Sequence, residues 1–230
     1  MKNIKFAITA LLLIFLIDSS SAQDWANLDR YKAENVALLL EKSDKNRIVF
    51  MGNSITESWK SMRPEYFLNS SYINRGISGQ TTPQMLVRFR SDVVALKPKI
   101  VVILAGTNDI AGNTGKSTIT MIADNIKSMV EIAQANDIKV VLSSVHPVYD
   151  YPWKKGLQPA EKIIKLNRIL KAYASTKKVV FLDYFQAMVD SKNGLKDDFT
   201  YDGVHPNVEG YKVMEVLAEK AIAKALSKKN

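Results

Sequence analysis

Arg47-Ile48-Val49-Phe50-Met51-Gly52-Asn53-Ser54-Ile55-Thr56 sets a short apolar run directly against Gly-Asn-Ser. A run of this length bounded by turn residues predicts a buried strand with an abrupt exit. Ser54 then has two readings: a hydroxyl displayed at the end of a strand as a nucleophile, or an ordinary cap for a helix that follows. The choice depends on what other segments bring to the same place.

Working outward, similar short runs recur at Tyr72 to Asn74, Ile100 to Ala105, Lys139 to Val145 and Val179 to Leu182, after the first at Ile48 to Met51. Between them, apolar spacing near 3.6 predicts helices over residues 25 to 42, 83 to 96, 118 to 135, 160 to 174 and 208 to 226. Strands alternating with amphipathic helices predict an α/β fold in which a parallel sheet is covered on both faces. Such sheets bind ligands at the carboxyl ends of their strands. The loops there are Gly52-Asn53-Ser54, the stretch from Arg75 to Thr82, Gly106-Thr107-Asn108-Asp109 and Ser144-Val145-His146-Pro147.

The amino terminus has its own character. Lys2 and Lys5 precede an apolar stretch from Phe6 to Ile17 and the small residues Ser19 to Ala22, the layout of a secretory signal peptide over residues 1–22. Cleavage is expected near Ala22-Gln23, leaving residues 23–230 as one exported domain, periplasmic or secreted in a bacterium, with no stable membrane insertion. The full chain carries a net charge of +9, and losing Lys2, Lys5 and Asp18 leaves +8. The lysines are scattered singly or in pairs, without the basic stripe of a nucleic-acid binder, so no nucleic-acid partner is expected. The chain has no cysteine, which excludes thiol nucleophiles, disulfides and thiolate metal sites.

Several motif fragments fail on spacing. Gly115-Lys116-Ser117 matches the end of a phosphate-binding loop, but the first glycine of that pattern falls on Ile110, and Ser117 or Thr118 is better read as a helix cap. Thr56 stands where Gly-x-Ser-x-Gly needs its second glycine. His146 and His205 lie too far apart for a familiar zinc spacing, and neither a metal nor another cofactor is expected.

Acyl transfer needs a nucleophile, a base, a group to orient the base and donors for the developing oxyanion. Asp202-Gly203-Val204-His205-Pro206-Asn207 offers a carboxylate and an imidazole three residues apart, so that Asp202 can reach Nδ1 of His205 and leave Nε2 for a serine hydroxyl. His146 is the competing base, with no acidic residue nearer than Asp150. Gly52 to Thr56, Asn74 to Thr82, Gly106 to Asp109 and Asp202 to Asn207 occur in the order of four sequence blocks of the SGNH hydrolases, the GDSL-type esterases and lipases, and the chain resembles that family. It is most similar to the members related to platelet-activating-factor acetylhydrolases and bacterial carbohydrate acetylesterases. The resemblance implies a flavodoxin-like, three-layer α/β/α sandwich on a five-stranded parallel sheet. It also implies Ser54 as nucleophile, His205 as base, Asp202 as its orienter, and Ser54 N–H, Gly79 N–H and the Asn108 amide as oxyanion donors. Asn53 departs from the aspartate common at that place, which touches local turn bonding and charge only.

Tyr149-Asp150-Tyr151-Pro152-Trp153 sets three aromatic rings beside the expected site, and Tyr149, Trp153 and His146 are the candidate substrate contacts. The expected reaction is hydrolysis of short acyl esters, chiefly acetyl, on a glycan or other small molecule. A lysophospholipase or thioesterase acting on lipid acyl groups is the alternative within the same chemistry, and a non-catalytic glycan-binding module the alternative outside it.

Overall fold

A computed structural model describes residues 24–40, 46–69 and 71–228. The signal-peptide segment, with its cleavage site, lies outside the described residues. In chain order the elements are α1 (Lys32–Leu40), β1 (Ile48–Gly52), α2 (Ser54–Met62), β2 (Tyr72–Gly76), α3 (Thr82–Asp92), β3 (Ile100–Ile103), α4 (Thr107–Ala111), α5 (Ile119–Gln134), β4 (Lys139–Ser143), α6 (Ala160–Thr176), β5 (Val180–Leu182), α7 (Tyr184–Met188) and α8 (Val208–Ser227).

The five strands form one sheet in the order β2-β1-β3-β4-β5. Every pairing is parallel. Because strand residues alternate between faces, each strand feeds two cores. Val49, Met51, Val101, Ile103, Val140 and Leu142 pack with Met85 and Phe89 of α3, Ile126 of α5 and Leu166 of α6. Ile48, Phe50, Ile100, Val102, Val141 and Leu182 pack with Trp59 of α2 and Met214 and Ala218 of α8. This is the expected three-layer sandwich, and burial on both faces explains why the strands read as continuous apolar runs.

Register brings Gly52 beside Gly76 at the carboxyl end of the sheet. There β2 lies almost against α2: a Cβ on Gly76 would sit 2.1 Å from the backbone nitrogen of Glu57. Glycine is required by space and not by backbone angle.

Some expected boundaries move. Residues 25 to 31 form turns, so the first helix starts at Lys32, and Glu41 and Lys42 fall outside the described residues. The third and fourth strands stop at Ile103 and Ser143, ahead of the loops. α2, α4 and α7 lie outside the five helical ranges predicted from spacing; α4 and α7 have five residues each, too short to show a 3.6 repeat. Thr118, the second of the two proposed caps, accepts from Met121 N at 3.1 Å and starts α5.

Candidate active site

Ser54 is not the cap of the helix that follows β1. Asn53 is the cap of α2, its side chain accepting from Ile55 N at 3.3 Å, so the capping duty falls there. Ser54 becomes the first residue of the helix, where its own N–H has no intrahelical acceptor and the helix dipole favours negative charge. Its hydroxyl is free for other work. Ser54 Oγ lies 3.0 Å from His205 Nε2, a contact spanning 151 residues of sequence.

The loop carrying His205 is built from local bonds. Thr200 Oγ1 donates to His205 O at 2.7 Å and accepts from Gly203 N at 2.9 Å. Asp202 Oδ1 accepts from Val204 N at 2.9 Å and His205 N at 2.7 Å, which leaves Oδ2 facing His205 Nδ1 at 2.7 Å. Gly203 turns the chain at φ +84°, and Asn207 caps α8. Burial alone would raise the Asp202 carboxyl, but the bonds from the His205 backbone and ring and from Val204 outweigh it and hold it below its ordinary value. An ionised Asp202 keeps the ring proton on Nδ1, so Nε2 is the acceptor facing Ser54. In that state the imidazole can take the serine proton.

Two further segments carry the expected oxyanion donors, the first tied to the end of β1 by the 3.2 Å bond from Ile77 N to Gly52 O. Gly79 is exposed at φ +76°, and its N–H meets no acceptor among the described residues. Asn108 is buried in α4, and its Nδ2 donates one hydrogen to Gln80 O at 2.9 Å, leaving the other for a ligand. Asp109, next to it, is buried and accepts from Thr82 N at 3.0 Å and Thr82 Oγ1 at 2.6 Å, joining α4 to α3. Burial raises its carboxyl to about 6 in spite of those bonds. Glu57 accepts from Ser78 N at 2.9 Å, from the Ser78 hydroxyl and from Arg30, and so ties the Gly79 loop back to α2.

The aromatic residues sort differently from expectation. Trp153 is about half exposed, with its ring 6.0 Å from that of His205, while Tyr151 is wholly buried with its hydroxyl on Thr107. Tyr149 is exposed with its Cβ near Gly194, and no ring contact joins it to His205 among the described residues. Tyr201, absent from the candidates drawn from sequence, lies nearly parallel to the His205 ring at 5.9 Å and is exposed. Its adjacency to Asp202 was the available signal. His146 has no exposed surface, and its ring packs edge-on to Tyr184 at 5.2 Å. Burial, followed by the charge of His205, pushes it down to about 3, so it is neutral at ordinary pH. It makes no hydrogen bond to Ser54 among the described residues.

No group of acidic or histidine side chains among the described residues is arranged to hold a metal, and no helix among them is long and apolar enough to cross a membrane. A cleft of about 370 Å³ opens at the amino ends of β4 and β5, the opposite edge of the sheet from Ser54. Three of its four lysines are engaged: Lys228 Nζ donates to Lys178 O at 2.8 Å, Lys139 Nζ donates to Lys228 O, and Lys177 pairs with Glu131 at 3.1 Å.

Against known proteins, the profile of the GDSL-like lipase/acylhydrolase family matches residues 50–213. The crystal structure of an acylhydrolase candidate from Bacteroides fragilis superposes with a TM-score of 0.85 at 51% identity, over 89% of this chain and 99% of that one. A GDSL-like lipase from Bacteroides thetaiotaomicron gives 0.84 at 48% identity, over 87% and 98%. The human (Homo sapiens) platelet-activating factor acetylhydrolase IB subunit alpha2 is 25% identical over 205 residues, 83% of this chain and 82% of its own length.

Proposed function

This chain belongs to the GDSL-like lipase/acylhydrolase family and is a carboxylic ester hydrolase, and from that premise we propose that it removes short acyl groups, chiefly acetyl, from carbohydrate esters through Ser54, His205 and Asp202. Ser54 Oγ attacks the ester carbonyl while His205 Nε2 takes its proton. Asp202 holds the resulting imidazolium. The tetrahedral oxyanion accepts from the N–H groups of Ser54 and Gly79 and from Asn108 Nδ2. Collapse expels the alcohol, which receives the proton from His205, and water then repeats the sequence on the acyl-serine. The observation that carries this reading is the continuous chain from Ser54 Oγ to His205 Nε2 at 3.0 Å and from His205 Nδ1 to Asp202 at 2.7 Å.

Two features support the substrate class. Trp153 and Tyr201 both present exposed rings beside His205, faces on which the apolar side of a sugar ring can stack. The name of the human relative describes acetyl removal. Export of the mature chain from Gln23 to the periplasm or beyond is part of the same proposal, and rests on the charge and apolar pattern of residues 1–22; a mature amino terminus at Met1 would remove it.

A p-nitrophenyl ester series together with acetylated glycans tests the proposal. Turnover is expected to fall steeply beyond about four acyl carbons, since each methylene that a closed pocket refuses costs about 1–3 kcal/mol. Ser54→Ala should abolish turnover on every substrate. A flat response to acyl length, with hydrolysis of lysophospholipid and none of acetylated glycan, would replace this reading by the lipid one.

A further inference from the structure

We propose that Arg88 is a positioning residue for the hydrolytic reaction, setting the distance between the nucleophile turn and the oxyanion loop; the proposal rests on the roles given above to Ser54, Gly79 and Asn108. Arg88 has no exposed surface. Its Nη2 donates to Gly52 O at 3.0 Å and Arg75 O at 2.9 Å, the carbonyls at the ends of β1 and β2. Nε donates to Gln80 Oε1 at 2.5 Å, and Nη1 pairs with Asp92 at 2.9 Å.

Both ends of the fork bear on the reaction. Gly52 O belongs to the peptide that leads into Asn53 and Ser54, so its direction sets the entry into α2. Gln80 follows Gly79 directly, and its backbone carbonyl is the acceptor that holds Asn108 Nδ2 at 2.9 Å. Gln80 Nε2 donates in turn to Ala26 O at 2.7 Å, so its side chain is gripped at both ends. One planar guanidinium thus spans the segment bearing the nucleophile and the segment that carries Gly79 and, through Gln80 O, holds Asn108. Stability alone does not call for an arginine here, because desolvating a charge is costly and an apolar side chain of similar volume often serves as well. A rigid fork with several donors in one plane is what arginine supplies and lysine does not.

The test compares Arg88→Lys, Gln80→Leu and Arg47→Met. Arg47 is also buried, but it donates to Leu96 O at 2.7 Å and Leu38 O at 3.1 Å, and it stands just before β1, at the amino end of the strands. Each variant is assayed for kcat and KM on p-nitrophenyl acetate, and for the Ki of phenylboronic acid, whose tetrahedral adduct on Ser54 fills the oxyanion site. Ki reads only competent molecules, so a low yield of folded protein does not obscure it.

Arg88→Lys is expected to lower kcat/KM about 100-fold, the scale of a 1 Å misplacement or of one lost oxyanion donor, with KM within about threefold. Ki for the boronic acid should rise in step, because affinity for a transition-state analogue follows kcat/KM. Gln80→Leu should show the same coupled change at about 10-fold, and Arg47→Met should lower Tm while leaving Ki unchanged. Wild-type Ki in both Arg88→Lys and Gln80→Leu overturns the positioning role, as does a rise in Ki of equal size in Arg47→Met. Turnover that survives in Ser54→Ala overturns the reaction scheme itself, a separate outcome.

Discussion

Ser54 and the loops of Gly79 and Asn108, the proposed oxyanion donors, are fixed by groups from far along the chain, whereas Asp202 and His205 are fixed mainly within residues 200–207. On the nucleophile side, Gly76 touches Glu57, Arg88 reaches Gly52, and Asp109 binds Thr82. On the acid–base side, the bonds of Thr200 and Asp202 close a self-contained loop that is partly exposed. The two aspartates follow suit. Burial wins at Asp109 and raises it, while local hydrogen bonds overcome burial at Asp202 and lower it. In the proposed reaction, the distance that must be held rigidly is built into the sheet, and the group that must exchange protons with solvent and substrate is placed on a surface loop.

The sharpest way to break this contrast is Asp202→Asn. Removing the charge beside Nδ1 disturbs the tautomer that Nε2 needs, and kcat should fall on the order of 10³–10⁴-fold. Since the loop carries little of the core, Tm should move by only a few degrees. A large loss of Tm with intact kcat would show that the loop is a structural brace and not a chemical device.

Gly76→Ala probes the opposite side. Its Cβ would meet the Glu57 nitrogen at 2.1 Å, and the obstacle is backbone that cannot rotate away. Overpacking typically costs about 1–3 kcal/mol, and a rigid obstacle puts this case nearer 4. At about 2–4 °C per kcal/mol for a domain of this size, Tm should drop by about 8–16 °C. Gly203, at φ +84° with nothing within 4 Å of an added Cβ, should give up only about 1 kcal/mol on the same change, from backbone strain alone. Equal losses at the two glycines would erase the distinction between the two sides.

The same contrast explains what could be read from the sequence. Asp202 and His205 are three residues apart and bonded to each other, so their relation was visible in the spacing. The strands were visible to within two residues because burial on both faces makes them uniformly apolar. Ser54 was ambiguous, since cap and nucleophile both favour a serine after a strand; the bond from Ile55 N to Asn53 removes the capping role, and the contact with His205 Nε2 favours the other. α2 was expected only as a helix after the Ser54 turn, without bounds, although Ile55, Trp59 and Met62 carry the right spacing. Arg88 was illegible because a charged residue in an amphipathic helix reads as solvent-facing. Yet it shares with Met85, Phe89 and Asp92 the buried face of α3, and the Arg88–Asp92 pair four residues apart was the one sequence signal of an internal ion pair. His146 was drawn in by its place after a strand, where nothing in the sequence marks it as wholly enclosed.

A pH series tests the opposed shifts of the two aspartates. Asp109 is raised from 3.8 to about 6, so the folded state holds its proton more tightly than the unfolded chain does. Its contribution to stability is therefore complete below about pH 4 and is lost as pH rises toward 6, after which it is constant. At 1.36 kcal/mol per unit the loss is roughly 3 kcal/mol at most. Asp202 has the reverse sign, with its contribution present above the ordinary carboxylate range and lost as pH falls. Urea unfolding of wild type and Asp109→Asn between pH 4 and 7 isolates the first of these, because the asparagine does not titrate. Wild type should lose stability relative to the variant across pH 4 to 6, and the difference should then level off. A difference that stays flat through that window would mean that the Thr82 bonds fully offset burial at Asp109. The nucleophile side would then hold its carboxylate as the acid–base loop does, by hydrogen bonds that favour the charged form.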